Sequence, residues 1–169
     1  MPGLFAAESR ISRFHDEKGN LVDFAGIPYA IPALASAAAK RLFGYRPAVP
    51  MISYRARREI ENILDRDSRM VEFGSGNSTT WFASRVRSLL SVEDLPDWYE
   101  HVQRQLAERK VGNVKHVLRS AENYADLSEI EDGSLHFALI DGTDREGCIR
   151  AVVPKLISGG WLYLDNSDK

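Results

Sequence analysis

A short run of small and acidic residues around position 74 has the composition of a ligand-binding turn. Gly74 and Gly76 flank Ser75, and glycines let the backbone turn tightly and approach a ligand closely because they carry no Cβ. Ser78 then opens a segment whose free N–H groups would face the same space. Glu72 lies two residues before the first glycine. These residues predict a strand, a tight turn and a helix N-terminus gathered around a small ligand.

The side chains around the glycines distinguish two classes of ligand. In dinucleotide sites a third glycine would stand at Thr79, where a side chain obstructs close packing of helix on strand. A carboxylate at Glu72 would repel a pyrophosphate but attract the cationic amino and sulfonium groups of S-adenosylmethionine (SAM). Glu93 stands where an acid accepts the ribose hydroxyls of either ligand. The residues therefore favour SAM, with a nicotinamide dinucleotide as the alternative.

Acidic residues also follow the last two apolar runs. Asp141 comes directly after residues 135–140, and Asp165 and Asn166 come directly after residues 161–164. Neighbouring strands lie about 4.8 Å apart, so these side chains can converge. Their oxygens suit Mg²⁺ or Ca²⁺, and without a metal Asp141 would act as a general base or position an acceptor. We expect Asp141 at the catalytic centre, with a metal site of Asp141, Asp165 and Asn166 as one alternative.

The hydrophobic pattern from residue 69 onward supplies the elements that would position these residues. Short apolar runs alternate with amphipathic stretches, which indicates a parallel sheet with crossover helices. Right-handed crossovers give a doubly wound, Rossmann-like α/β sheet of strand order 3-2-1-4-5, whose ligands bind beyond the carboxyl ends of the strands. The expected strands are residues 70–73, 89–92, 114–118, 135–140 and 161–164, and the expected helices are residues 78–87, 96–109 and about 146–158.

Two of these helices have clear apolar faces. Trp98, Val102 and Leu106 lie at i, i+4 and i+8, so we expect all three to face the sheet. The last helix should carry Leu156 on its apolar face and end at the glycine pair that begins with Gly159.

Residues 1–68 have a different texture and are expected to form an N-terminal helical extension. They are rich in Ala, Pro and Arg, with helices expected at residues 33–43 and 53–64. Ser53 would cap the second helix. Residues 69–169 would then be the ligand-binding domain, and the N-terminal helices would cover the acceptor.

Composition and charge exclude several classes of function. A formal charge of −2 predicts no general attraction to nucleic acid or anionic membranes. Cys148 is the only cysteine, so we expect neither a disulfide framework nor a thiolate metal cluster. The N-terminus lacks the basic start and apolar run of a signal peptide, and the uncharged residues 24–39 are too short to span a membrane. We therefore expect a cytoplasmic protein that acts on a small molecule.

Two motifs carry a resemblance to a known family. Residues 72–79, Glu-Phe-Gly-Ser-Gly-Asn-Ser-Thr, followed by Ser-Val-Glu at residues 91–93, resemble the nucleotide-binding half of class I SAM-dependent methyltransferases. The resemblance extends from about residue 69 to residue 166. Asn77 replaces the third glycine of the commonest family pattern, and Asn tolerates left-handed backbone better than most residues. Residues 50–54 and 140–142 also resemble one branch of uncharacterised bacterial members.

The resemblance implies roles for individual residues. It implies that the glycine loop lies under the methionine part of SAM, that Glu93 holds the ribose and that Ala121 borders the adenine. In metal-dependent O-methyltransferases of the catechol type, and in some that act on sugars, acids and an amide after the fourth and fifth strands hold Mg²⁺. The residues implied to bind SAM are Glu72, Gly74, Ser75, Gly76, Asn77, Ser78, Glu93, Ala121 and Asp141.

The implied activity is that of a SAM-dependent methyltransferase (EC 2.1.1 type), and the acidic strand ends favour an oxygen acceptor on a small molecule or sugar. A non-catalytic SAM-binding or scaffold protein and a nicotinamide-dependent oxidoreductase are the alternatives. The family usually adds a two-stranded hairpin after the fifth strand, whereas this sequence ends at Lys169. We expect truncation here, with a homodimer formed at this sheet edge as the alternative.

Overall fold

The computed structural model describes residue 50 and residues 52–165, which fall within the compact unit Ala48–Lys169. The expected helix at residues 33–43 and the predicted metal ligand Asn166 lie outside the described residues. Helices α1–α4 span Tyr54–Ile63, Asn77–Ala83, Pro96–Glu108 and Arg145–Val152. Strands β1–β5 span Arg69–Phe73, Ser88–Glu93, Val114–Leu118, Leu135–Ile140 and Leu156–Leu164. Two 3₁₀ turns span Ala121–Asn123 and Val153–Lys155.

The five strands form one parallel sheet in the order β3-β2-β1-β4-β5. The predicted fold class and strand order are confirmed. Because β1 is the central strand, the glycine turn that follows it opens at the middle of the carboxyl edge, between the exits of β2 and β4.

Side chains of the sheet alternate between two helical layers. Val71 and Phe73 of β1 belong to the core cluster that contains Cys148 of α4. Met70 belongs to the cluster on the opposite face, together with Phe82 of α2. Burial on both faces is typical of parallel strands, and it leaves the Glu72 side chain of β1 without access to water.

Helix α1 packs against the sheet. Its N-cap is Ser53, whose hydroxyl accepts a hydrogen bond from the Ala56 N–H at 3.1 Å, as predicted. Ile60 is buried in the same cluster as Met70, and Glu61 forms a 3.0 Å ion pair with Arg85. The division of the chain at residue 68 stays a prediction.

Helix α2 is shorter than expected and ends at Ala83 rather than at residue 87. The Ser84 hydroxyl and the Arg85 guanidinium both donate to the Trp81 carbonyl, at 2.8 and 3.0 Å. In a longer helix the Trp81 carbonyl would accept a backbone N–H of the next turn, and here the two side chains take the place of that donor. The Arg87 N–H then bonds to the Ser68 carbonyl and directs the chain into β2.

Strand β5 is longer than expected. It begins at Leu156, which the sequence placed on a helix, and it includes Gly159, which was expected to end that helix. Leu135 pairs with Leu156, and Phe137 pairs with Trp161, so an advance of two residues along β4 corresponds to five residues along β5. The register of the two strands is therefore irregular between these pairs. Gly159 adopts a φ of +80°, which allows this irregularity because glycine has no Cβ.

In the described part of the chain, no helix combines the length and the apolar character needed to cross a membrane.

Substitution of Ile60 tests the packing of α1. We expect Ile60→Ala to lower the free energy of unfolding by about 2–5 kcal/mol, because it leaves a cavity against the sheet. The exposed neighbour Glu59 provides the control, since Glu59→Ala should change stability by less than about 0.5 kcal/mol. Chemical denaturation measures both, and equal stabilities would contradict this packing.

Candidate active site at the carboxyl edge of the sheet

The turn after β1 is held against the exit of β4. Gly74 has a φ of +91°, and a Cβ at this position would lie 3.1 Å from backbone atoms of Asp141 and Gly142. Its N–H donates to the Val92 carbonyl at 2.9 Å, and the Asp141 N–H donates to the Phe73 carbonyl at 2.9 Å. Gly74 is therefore required both for its conformation and for the close approach of two backbones.

Glu93 binds the glycine loop directly. Its Oε2 accepts from the Ser75 N–H at 3.0 Å and from the Ser75 hydroxyl at 2.8 Å. Its Oε1 accepts from the backbone N–H groups of Asp94 and Leu95, both at 3.1 Å. A carboxylate has about four acceptor positions, so ribose hydroxyls would reach this buried group only by replacing protein donors. The ribose-binding role of Glu93 stays a prediction.

Glu72 lies beneath the loop rather than on its surface and has no solvent exposure. Its Oε2 accepts from the hydroxyls of Thr79 and Ser91, at 2.7 and 2.8 Å, whereas its Oε1 has no hydrogen-bond partner among the described residues. Burial raises the pKa of Glu72 to about 7, and the charge of Asp141 adds to the rise, while nearby hydroxyls, including that of Ser78, oppose it.

Thr79 connects the loop to this carboxylate. Its hydroxyl oxygen accepts from the Gly76 N–H at 2.9 Å and donates to Glu72. The sequence indicated Thr79 only as an obstacle to dinucleotide-type packing and missed this role. Thr79 is the third residue of α2, and side chains at that position commonly bond the N–H of the N-cap residue. This position could have predicted the contact with Gly76. Ser91 was missed as well, although a lone serine in a buried strand requires a partner.

The remaining predicted SAM contacts lie around the same edge. Asn77 and Ser78 form the first turn of α2 and are partly exposed. Ala121 is exposed and begins the 3₁₀ turn after β3, three residues beyond Leu118, which pairs with Glu93.

Asp141 and Asp165 meet where β4 and β5 end. The Asp165 N–H donates to the Ile140 carbonyl at 3.0 Å, which aligns the two exits. Partial desolvation and the neighbouring Asp165 together raise the pKa of Asp141 to about 6, and Arg145 opposes the rise. Among residues 52–165, no group of three His, Cys, Asp or Glu side chains is placed to hold a metal ion.

Tyr124 occupies the space that a side chain at Gly142 would need. Its ring packs against Phe73 with centroids 5.5 Å apart, and it is fully buried. A Cβ on Gly142 would lie 1.9 Å from the Tyr124 hydroxyl oxygen. Nearby, the Thr143 hydroxyl donates to Asp94 at 3.1 Å and joins the exits of β4 and β2.

Trp98 does not face the sheet, so this expectation was wrong, whereas Val102 and Leu106 are buried as expected. The Trp98 indole N–H donates to the Ser75 carbonyl at 2.7 Å, and 43% of the residue remains exposed. Because α3 starts directly after β2, its first turn lies beside the glycine loop. The indole N–H of a tryptophan at this position needs a hydrogen-bond acceptor, and the loop carbonyl provides one.

Comparisons with known proteins agree with this geometry. A family model described as a methyltransferase domain matches residues 71–167. No curated protein matched the sequence.

Solved structures with TM-scores of 0.56 include three proteins of different kinds. A precorrin-8w decarboxylase from Methanobacterium thermoautotrophicum is 23% identical over 70% of this chain and 66% of its own. An rRNA methylase from Streptococcus thermophilus is 17% identical over 70% and 76%. A putative Streptococcus mutans methyltransferase, solved with S-adenosylhomocysteine (SAH), is 13% identical over 71% and 72%. The chain thus spans about two-thirds to three-quarters of their lengths, and the likeness concerns the fold.

The family model covers more than half of the 169 residues, and the sheet order is the one that the hydrophobic pattern and right-handed crossovers predict. The chain belongs to the methyltransferase-domain family of the class I SAM-dependent methyltransferases.

Proposed function

We propose that this chain binds SAM above the glycine loop and transfers its methyl group to an oxygen of a small molecule or sugar. The observation that carries the proposal is the pair of buried carboxylates that enclose the loop, Glu72 below it and Glu93 beside it. Once Glu72 is ionised, above its raised pKa of about 7, the two acids would repel a pyrophosphate and attract the ammonium and sulfonium of SAM. Family membership supports the same ligand.

The proposed contacts follow the geometry of the carboxyl edge. Backbone groups of the loop would hold the methionine part, Glu93 would take the ribose hydroxyls and Ala121 would border the adenine. The proposed SAM contacts are Gly74, Ser75, Gly76, Asn77, Ser78, Glu93, Ala121 and Asp141, and Glu72 would act on SAM by its charge from beneath the loop.

The acceptor is inferred from charge. The fold alone does not name it, because a precorrin-8w decarboxylase and an rRNA methylase share it. A formal charge of −2 disfavours nucleic acid, while Asp141 beside Asp165 suits a hydroxyl group that must lose a proton. A non-catalytic SAM-binding or scaffold protein is the alternative. The cytoplasmic location and the homodimer stay predictions.

In the proposed reaction the acceptor oxygen attacks the methyl carbon in line with the sulfonium. A C–O bond forms, the C–S bond breaks and its electrons neutralise the sulfur, which leaves SAH. Asp141 takes the proton of the acceptor hydroxyl. Positioning of the two reactants contributes much of the rate. Since the described residues include only two of the three predicted metal ligands, no step is assigned to a metal.

Titration calorimetry with SAH tests the ligand. We expect one SAH per chain, and we expect Glu93→Ala to weaken binding at least tenfold because it removes the loop's acceptor and the proposed ribose contact. Glu108→Ala, at an exposed glutamate of α3, is the control and should bind like the wild type. Absence of SAH binding by the folded wild type would refute the proposal.

The charge of Glu72 can be measured without ligand. Its pKa is raised from 4.5 to about 7 in the folded chain, so between these values the folded state holds a proton that the unfolded state has lost. The free energy of unfolding that Glu72 contributes should therefore fall as pH rises from about 4.5 to 7. Asp141 and His116, with pKa values near 6 and 4, titrate in the same range.

The comparison of wild type with Glu72→Gln isolates this group, because Asp141 and His116 titrate in both proteins. We expect the stability of Glu72→Gln relative to wild type to increase across this window, as followed by denaturation at several pH values. Parallel pH curves for the two proteins would contradict a buried, protonated Glu72.

A screen of hydroxyl acceptors with methyl-labelled SAM tests the chemistry. We expect Asp141→Asn to lower turnover by about 10²–10⁴-fold, because it removes the proton acceptor. The screen should run with Mg²⁺ and with a chelator. Turnover that requires Mg²⁺ and is lost in Asp165→Ala would establish the metal site, whereas equal turnover with the chelator would exclude it.

A further inference from the structure

Trp98 occupies a position that packing alone does not explain. It lies in the first turn of α3 with 43% of its surface exposed. Its indole N–H bonds to a loop carbonyl rather than to water, at 2.7 Å from Ser75 O. The ring also lies against Gly76, where a Cβ would be 3.9 Å from the nearest indole carbon. The indole thus covers the outer side of the peptide that joins Ser75 to Gly76.

That peptide is bonded on both of its sides. Its carbonyl accepts from Trp98, and its N–H, on Gly76, donates to the Thr79 hydroxyl at 2.9 Å. The same hydroxyl donates to Glu72 at 2.7 Å. A continuous hydrogen-bond chain therefore runs from the exposed indole, through the loop peptide, to the buried carboxylate. Bonds in such a chain strengthen one another.

The preceding peptide is fixed from the other direction. The Ser75 N–H and hydroxyl both donate to Glu93. Without Trp98, the carbonyl of Ser75 would lose this donor, and the bond from the Gly76 N–H to Thr79 would hold the peptide from one side alone. Rotation would turn the Gly76 N–H away from Thr79 and alter the surface offered to a ligand.

The indole itself is supported by α3. Its ring stacks on His101, with centroids 5.0 Å apart and planes 28° apart. His101 in turn contacts the Gln105 amide through Nε2 at 2.7 Å. Rotamers held by neighbours keep a functional group in place, so this row of side chains aims the indole N–H at the loop.

We propose that Trp98 is a positioning residue that holds the Ser75–Gly76 peptide in the orientation that binds the methionine part of the cofactor. The inference rests on the proposed function for the ligand, whereas the loop constraint can be measured in the ligand-free chain. Trp98 acts through the loop and needs no contact with the reacting atoms.

The test compares Trp98→Phe, which keeps an aromatic ring but loses the donor, with Trp161→Phe, which alters another exposed tryptophan on β5. Hydrogen exchange of the Gly76 amide and the Kd for SAH are measured on the full chain. In Trp98→Phe we expect both the exchange rate and the Kd to rise about five- to tenfold. Exchange of core amides such as Val71 should remain unchanged in both variants.

Unchanged SAH affinity in Trp98→Phe would overturn the inference, whatever the exchange rate. If core amides also exchange faster in Trp98→Phe, that variant is globally destabilised, and the inference is then tested with His101→Ala instead. That variant keeps the indole donor, loosens its support and should shift the same two quantities by a smaller factor; no shift would again overturn the inference. If the wild type does not bind SAH, the proposed function fails instead, and Gly76 exchange alone decides whether Trp98 holds the loop.

Discussion

Glu72 places a carboxylate on the central strand, with no solvent exposure, between Ser91 of β2 and Leu139 of β4 in the strand register. A buried carboxylate is costly unless donors surround it. The Ser91 hydroxyl supplies one bond from the sheet, and Thr79 supplies another from α2. For Thr79 to reach, α2 must begin directly above the end of β1. The tight turn at Gly74 makes that possible.

The same constraint shapes the surface that a ligand would meet. With Glu93 beside it and Glu72 below, the loop offers its backbone groups next to negative charge when Glu72 is ionised, above its raised pKa of about 7. Dinucleotide sites use a similar turn, but they place a helix N-terminus against an anion. Here the acids favour a cationic ligand, and the exposed Asp141 lies at the end of β4, where a reacting group can reach it.

Periodicity was sufficient to predict the strands, since alternation of apolar runs and amphipathic segments is a local property, and the rule of right-handed crossovers then gave their order. Periodicity failed where hydrogen bonds of individual side chains decide the structure. Helix α2 ends early because Ser84 and Arg85 bond the Trp81 carbonyl. Trp98 leaves the apolar face of α3 because a loop carbonyl 23 residues away accepts its N–H.

The candidate site was predicted to a similar extent. The rule that ligands bind at strand ends placed Glu93, Asp141 and Asp165 at one edge of the sheet, without any knowledge of side-chain geometry. It could not show that protein donors fill Glu93 or that Glu72 lies beneath the loop, because both depend on how the turn folds back on itself.

The central claim is that acids around the glycine loop select a cationic ligand over a pyrophosphate. Parallel titrations of the wild-type chain with SAM, SAH and NAD⁺ under one set of conditions test it most directly. The account predicts binding of SAM and SAH and none of NAD⁺ at millimolar concentration. Binding of NAD⁺ with an affinity equal to that of SAM, or binding of NAD⁺ alone, would contradict it.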